Sequence, residues 1–182
     1  AMDEFGVLVI DSHGGFRVGT DESWPFVSTG IPYTSEYLDE FQAGRIILGY
    51  SDADKKKGLS SVIKFTPEFV KTYCRGFSDS IVYISTCHGG DNGTLAAAFL
   101  GEGAQAVAAY RDLAWSNDCK DFSEEFFEHL IEDRDNFQEA FSEAYGERGD
   151  NDPVWWGHAD AWIGAQDVAN GGFESGLKGW SP

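Results

Sequence analysis

The 182-residue chain has few basic residues, three cysteines and no long apolar run. Its 13 lysines and arginines stand against 31 acidic residues, which gives a formal net charge of −18. Nucleic acids and anionic membranes bind basic surfaces, so this balance argues against both as partners. It is compatible with cationic substrates, with calcium or with plain solubility, and it does not choose among them.

No apolar run approaches the roughly 18–20 residues that a membrane span requires. The chain also does not open with the pattern of a signal peptide. Its hydrophobic content of 42% and aromatic content of 15% predict a packed core. The length fits one domain with a small appendage.

The cysteines show no C-x-x-C spacing, so we expect neither a structural zinc site nor another metal centre. No motif indicates calcium, and we expect no cofactor. Cys74 and Cys119 flank helical patterns and are either buried thiols or partners in a disulfide. Cys87 is left over in both cases, and an unpaired thiol beside glycines is a candidate nucleophile.

Two stretches of the sequence share one form. Residues 81–84 (IVYI) are an apolar run typical of a buried strand, and Cys87 follows before two glycines. Residues 7–10 (VLVI) form a similar run, and His13 follows before two glycines. If the two strands are parallel neighbours, His13 and Cys87 lie at the same edge of the sheet. Open α/β sheets bind their ligands at that edge.

A cysteine and a histidine in this arrangement predict nucleophilic catalysis. A thiol attacks a carbonyl as the thiolate, and imidazole takes its proton and returns it to a leaving amine. The resulting oxyanion needs donors that are already in place, and the backbone amides of Gly14 and Cys87 are the candidates. Glycine at position 14 also lets a substrate approach closely.

Three further side chains are candidates for lining the pocket. Asp11 lies two residues before His13, on the same face of the strand, where it would orient the imidazole or line the pocket. His88 is a second imidazole directly after the nucleophile, and we rank it below His13. Asp91 follows shortly after the glycines.

The rest of the chain alternates between strand and helix patterns. Residues 16–44 lack periodicity and are interpreted as a long loop that forms one wall of the site. Thr66 is predicted to cap a helix that starts at Pro67. We expect further strands at 45–50 and 106–110, and further helices at 95–100, at 118–133 and from 136. Terminal strand segments are expected at 154–156 and 161–163. This alternation predicts an α/β fold with a mostly parallel sheet and helices on both faces.

The motifs VLVIDS-His13-Gly14 and IVYIST-Cys87-His88-Gly89-Gly90 resemble those of the caspase-like (clan CD) cysteine peptidases. An alanine-rich helix, a short strand and an aromatic helix pair over 95–145 are similar to gingipain, clostripain or CHAT chains. The resemblance covers about residues 5–165 and implies a three-layer caspase-like sandwich. It implies His13 as general base and acid, with Cys87 as nucleophile.

The resemblance implies a cysteine endopeptidase that hydrolyses protein or peptide substrates through an acyl-enzyme. The clostripain and gingipain relatives imply cleavage after Arg or Lys, which the acidic Asp11 and Asp91 would suit. The alternative is a catalytically silent caspase-like scaffold or interaction module of a secreted multidomain protein.

The sequence departs from the family pattern in three respects. His88, directly after the nucleophile, is a second imidazole. Thr86 stands where these peptidases usually have alanine before the cysteine. Two strands and a helix normally precede the histidine strand, and this chain begins at that strand. The domain therefore resembles either the C-terminal larger part of a caspase-like domain whose N-terminal part is removed, or a reduced version of that domain. Either would have an exposed sheet edge that invites pairing with another chain.

Residues 170–182 differ in sequence pattern from the rest of the chain. They resemble the opening of carbohydrate-binding-type β-sandwich modules, with the pattern N-G-x-F-E-x-G-L-x-G-W. We therefore divide the chain into a caspase-like domain at 1–169 and a linker or the start of a β-sandwich module at 170–182. The likeness implies a secreted or cell-surface, microbial, multidomain protein. A sugar-binding function is a third hypothesis, which rests on this tail and on the tryptophans.

Overall fold

The computed structural model describes residues 6–18, 23–49, 56, 61–148 and 152–163. The strands in these ranges are β1 (Val7–Asp11), β2 (Gly14–Val18), β3 (Ser23–Pro32), β4 (Ile46–Gly49), β5 (Val62–Phe65), β6 (Ile81–Ser85), β7 (Ala106–Tyr110) and β8 (Pro153–Gly157). The helices are α1 (Leu38–Gln42), α2 (Pro67–Tyr73), α3 (Thr94–Gly101), α4 (Ser116–Phe127) and α5 (Phe137–Arg148). A 3₁₀ turn (Ser35–Tyr37) precedes α1, and a π-helical segment (Glu128–Asp133) follows α4.

The central sheet has the order β1-β6-β7-β8. Strands β1, β6 and β7 are parallel, and β8 pairs with β7 in the antiparallel sense. All five residues of β7 and the first four of β6 are buried, as expected for parallel strands that are covered on both faces. The predicted α/β class and the mostly parallel sheet are therefore confirmed.

Alternate side chains of this sheet enter two separate cores. On one face, Tyr83 stacks on Phe126 of α4 with ring centroids 5.9 Å apart, and α5 completes the layer. On the other face, Ile84 packs in a cluster with Leu95 and Phe99 of α3. Helices thus cover both faces of the sheet, as the strand–helix alternation predicts.

A second, antiparallel sheet with the order β2-β3-β5-β4 was not predicted. The prediction of an irregular loop at 16–44 is wrong, because this stretch contains most of β2, all of β3 and α1. The prediction failed because this stretch contains prolines and glycines, which normally interrupt strands. Pro25 lies where β3 pairs with β2 and not with β5, and Pro32 follows a register shift in the β3–β5 ladder.

Helix α2 begins at Pro67, as predicted, but Thr66 does not cap it through its side chain. The Thr66 hydroxyl is 2.9 Å from the carbonyl oxygens of both Gly44 and Arg45. It therefore ties the start of α2 to the segment before β4.

All three cysteines are free thiols. Cys74 belongs to the core that contains α3, and Cys119 belongs to the core on the opposite face of the central sheet. Because the sheet separates these cores, the alternative of a Cys74–Cys119 disulfide is excluded in this fold.

Strand β1 forms an edge of the central sheet within the described residues. At the other edge, β8 confirms the strand predicted at 154–156. Residues 161–163 form no strand, although Ala161 and Ile163 are buried in the core under α4 and α5.

Within the described ranges, every helix is too short or too polar to cross a bilayer. The tail at 170–182 and the domain boundary at 169 lie outside the described residues.

Candidate active site

The register of β1 and β6 brings the predicted histidine and cysteine to one edge of the sheet. Asp11 pairs with Ser85 at the ends of the two parallel strands. The N–H of Ser12 then donates to the Ser85 carbonyl at 3.3 Å, which extends the pairing by one residue. His13 and Cys87 each follow two residues after the Asp11–Ser85 pair, and both line one cavity.

This cavity has a volume of about 680 Å³ and lies at the carboxyl ends of β1 and β6. Residues of β1 and the residues that follow it line the cavity, together with Tyr83, Ser85 and Cys87. Residues 113–116 and residues of α4 complete the lining. The cavity is therefore bounded by the two strands that carry the candidate dyad and by the loop that follows β7.

The Cys87 thiol contacts the backbone of this loop. Its Sγ accepts the N–H of Ala114 at 3.3 Å and lies 3.8 Å from the Ala114 carbonyl oxygen. The carbonyl can accept the S–H proton of the thiol, and the N–H stabilises a negative sulfur. The half-buried Cys87 thus has backbone partners for both of its protonation states.

The segment that carries His13 is held against β3. The His13 carbonyl accepts the N–H of Ser28 at 2.7 Å, and the Ser12 hydroxyl donates to the Ser28 carbonyl at 2.6 Å. The Gly14 N–H belongs to the same trans peptide as the His13 carbonyl, so it points away from β3. A β-carbon at position 14 would lie 2.5 Å from the Cys87 carbonyl oxygen, so only glycine fits this approach.

Asp11 lines the same cavity as the candidate dyad. Burial raises the pKa of the Tyr83 phenol and of the Cys119 thiol, which also line the cavity, and Asp11 adds a minor contribution in the same direction. The cavity also contains Lys120, whose ammonium lies 2.8 Å from the Glu124 carboxylate.

His88 and Asp91 do not line this cavity, although the sequence made them pocket candidates. His88 has a left-handed backbone with φ of 60°, and its N–H donates to the Asp112 carbonyl at 2.9 Å. Its Nδ1 lies 3.0 Å from the Asp91 carboxylate. Burial raises the pKa of the Asp91 carboxyl, and the neighbouring His88 opposes this shift. The structure therefore pairs these two side chains with each other, separately from His13 and Cys87.

The cavity wall that the sequence assigned to residues 16–44 is formed elsewhere. Leu113 and Trp115, between β7 and α4, provide this wall, and both are largely exposed. Apolar side chains directly after the carboxyl end of a buried parallel strand are the signal that could have identified them. Cys119 also lines the cavity, and its 5% exposure leaves it much less accessible than Cys87.

One group of described side chains outside the cavity has the composition of a metal site. Ligand atoms of His129, Asp133 and Asp135 lie within 4.8 Å of one another. The His129 Nδ1 is 3.2 Å from a carboxylate oxygen of each aspartate. These contacts are those of a histidine shared by two carboxylates, and none of the three residues lines the cavity with Cys87.

Comparison with models of protein families gives no match for this chain, and comparisons with curated proteins and with solved structures give none either. Its function is therefore inferred from the residues and the geometry of the cavity.

Proposed function

We propose that the chain is a cysteine endopeptidase in which Cys87 is the nucleophile and His13 the general base and acid. The observation that carries this proposal is the parallel register of β1 and β6, which brings both residues to the sheet edge, where they line one cavity. A nucleophile and a base that meet at the carboxyl edge of a parallel sheet fit the usual position of catalysis in α/β folds.

In the proposed reaction, His13 takes the proton of the Cys87 thiol, and the sulfur attacks the carbonyl carbon of a peptide bond. The oxyanion accepts hydrogen bonds from the N–H groups of Gly14 and Cys87. The C–N bond then breaks as His13 protonates the leaving amine, which leaves a thioester on Cys87. A water molecule, deprotonated by His13, attacks this thioester and releases the acid and the free thiol.

Substrates with Arg or Lys before the scissile bond suit the side chains around Cys87. Asp11 provides a carboxylate in the cavity, and Leu113 and Trp115 offer apolar surface for the aliphatic part of a long side chain. The excess of acidic residues in the whole chain would also attract cationic substrates. Asp91 has no part in this proposal, since it pairs with His88 outside the cavity.

A second candidate function is a caspase-like interaction module without turnover. It is favoured by the position of β1, which forms a sheet edge within the described residues. Sheet edges of this kind can pair with a strand from another chain.

Covalent labelling separates the two candidates. The folded, reduced chain is incubated with a peptidyl electrophile that carries Arg or Lys, and peptide mass spectrometry locates the adduct. A peptidase should be labelled at Cys87, and His13→Ala should slow the labelling. An interaction module would give no adduct at Cys87, or an adduct that forms at the same rate without His13.

A further inference from the structure

The side chain of Thr86, directly before the candidate nucleophile, is unusual in this fold. Thr86 is buried, and its Oγ1 has no hydrogen-bond partner among the described residues. Nearly all buried hydroxyls in proteins are hydrogen-bonded, because an unpaired one loses its bonds to water without replacement. A buried and unpaired hydroxyl therefore needs a reason other than stability.

The Thr86 hydroxyl occupies the space that two glycines leave free. A β-carbon built on Gly14 or on Gly89 would lie 2.7 Å from Thr86 Oγ1, closer than real β-carbons approach an oxygen. Gly14 follows His13, and Gly89 belongs to the turn that follows Cys87. The hydroxyl thus lies between the segment that carries His13 and the turn that follows Cys87.

We propose that Thr86 is a positioning residue for the Cys87–His13 dyad. Its Oγ1 fixes how closely the His13–Gly14 peptide approaches the Cys87 turn, and so where the two candidate oxyanion donors lie. This inference rests on the proposed peptidase function. It goes beyond that function because Thr86 does not line the cavity and would act only through its neighbours.

The size of the atom at this position explains why a threonine stands there. A valine methyl is larger than a hydroxyl oxygen and would push the two glycine segments apart, whereas alanine would leave a gap between them. Small displacements of catalytic groups cost rate more than binding, and about 1 Å can cost roughly 100-fold. Thr86→Val and Thr86→Ala should therefore lower kcat at least about tenfold, with KM within about twofold. Thr86→Ser keeps the oxygen and should retain kcat within about threefold.

A second pair of variants tests the contact itself. Gly89→Ala places a methyl against Thr86 Oγ1, and the remaining close neighbour is Ile84 Cγ2, a side-chain atom, at 3.1 Å. Thr86→Ala removes the oxygen, so the double variant should recover much of the kcat that Gly89→Ala loses. Gly14→Ala is the matched control. Its methyl also meets the backbone carbonyl of Cys87 at 2.5 Å, so Thr86→Ala should not rescue it.

Turnover of an Arg peptide and the unfolding midpoint are measured for each variant, on the full chain. The proposal is supported if kcat, measured where each variant is fully folded, follows the atom at position 86. It is overturned if Thr86→Val keeps full kcat, if kcat falls only with the folded fraction, or if the double variant is no better than Gly89→Ala. Should Thr86→Val fail to fold, Thr86→Ser and the rescue of Gly89→Ala decide.

The failure of this inference is distinguishable from the failure of the proposed function. A wild-type chain with neither turnover nor a Cys87 adduct removes the peptidase function, and the role of Thr86 falls with it. An active wild type with equally active Thr86 variants removes only the role of Thr86.

Discussion

Asp11 and Ser85 lie opposite each other on the parallel strands β1 and β6, and each precedes one member of the candidate dyad by two residues. In a strand, residues two apart lie on the same face of the sheet. A slip of one residue in this register would move the candidate base relative to the nucleophile. The strand pairing therefore sets the geometry of the site.

Asp11 lines the cavity, and in the proposed function its carboxylate is the partner of a cationic substrate side chain. Asp11→Asn should lower kcat/KM for Arg and Lys peptides on the order of tenfold, because it removes one partner of a charge pair that is partly exposed to water. Rates for peptides with a neutral residue at that position should change little. Steady-state kinetics on matched Arg and norleucine peptides provides the measurement.

Asp91→Asn is the control for this prediction, because Asp91 carries the same charge near the Cys87 turn but lies outside the cavity. It should leave the preference for Arg over norleucine unchanged. Equal effects of the two substitutions would show that Asp11 has no special part in substrate selection.

The three thiols should differ sharply in reactivity. Burial raises the pKa of both the Cys74 and the Cys119 thiol, so these two remain protonated and shielded near neutral pH. At about pH 7.5, iodoacetamide should modify Cys87 first in the folded chain, and the other two only in denaturant. Peptide mapping checks this order, with Cys87→Ser as the control. Early modification of Cys119 would contradict the burial seen here.

The elements that could be predicted from the sequence are those with a strong local pattern. The apolar runs of β1, β6 and β7 and the aromatic spacing of α4 and α5 identify the central sheet and one of its layers. The position of His13 and Cys87 at the same edge of the sheet could also be predicted, because parallel neighbouring strands end at the same edge.

The second sheet and part of the site could not be predicted. β3 contains Pro25 and Pro32, which are tolerated only because of where the neighbouring strands pair, and that pairing is not visible locally. The backbone φ of 60° at His88, which accompanies its pairing with Asp91, is set by the turn and its contact with Asp112. Trp115 joins the site because β7 lies beside β6, which is a property of the sheet order.

The aromatic core under α4 should contribute strongly to stability. Phe126 is fully buried, stacks on Tyr83 and makes an edge contact with Phe137 at 5.3 Å. Phe126→Ala should lower the free energy of unfolding by about 3–5 kcal/mol through lost burial and the cavity left behind. Leu38→Ala on the exposed helix α1 is the control and should cost less than about 1 kcal/mol. Similar losses in guanidinium titrations of both variants would contradict the packing described here.

The buried tyrosine pair predicts a loss of stability at high pH. The hydroxyls of Tyr83 and Tyr110 are 2.7 Å apart, and burial raises the pKa of both phenols. A group whose pKa is higher in the folded than in the unfolded chain stabilises the fold below its unfolded pKa, near 10, and loses that contribution as the pH rises further.

The free energy of unfolding should therefore fall as the pH rises above about 10, toward the raised pKa values of the folded chain. Denaturant titrations across this range measure the fall. The double variant Tyr83→Phe/Tyr110→Phe lacks both ionisable groups and should show a flatter curve. A double variant with the same pH dependence as the wild type would place the cause in other residues.

The most direct test of the central claim compares the histidine that lines the cavity with Cys87 and the histidine that follows Cys87 in the sequence. His13 shares the cavity with Cys87, whereas His88 is adjacent in sequence but pairs with Asp91. The measurement is kcat/KM on an Arg peptide for His13→Ala and His88→Ala. We expect His13→Ala to lose about 10²–10⁴-fold, the usual contribution of a general acid–base group, and His88→Ala to lose less than about tenfold. A large loss for His88→Ala with little loss for His13→Ala would contradict the assignment of His13 and Cys87 as the dyad.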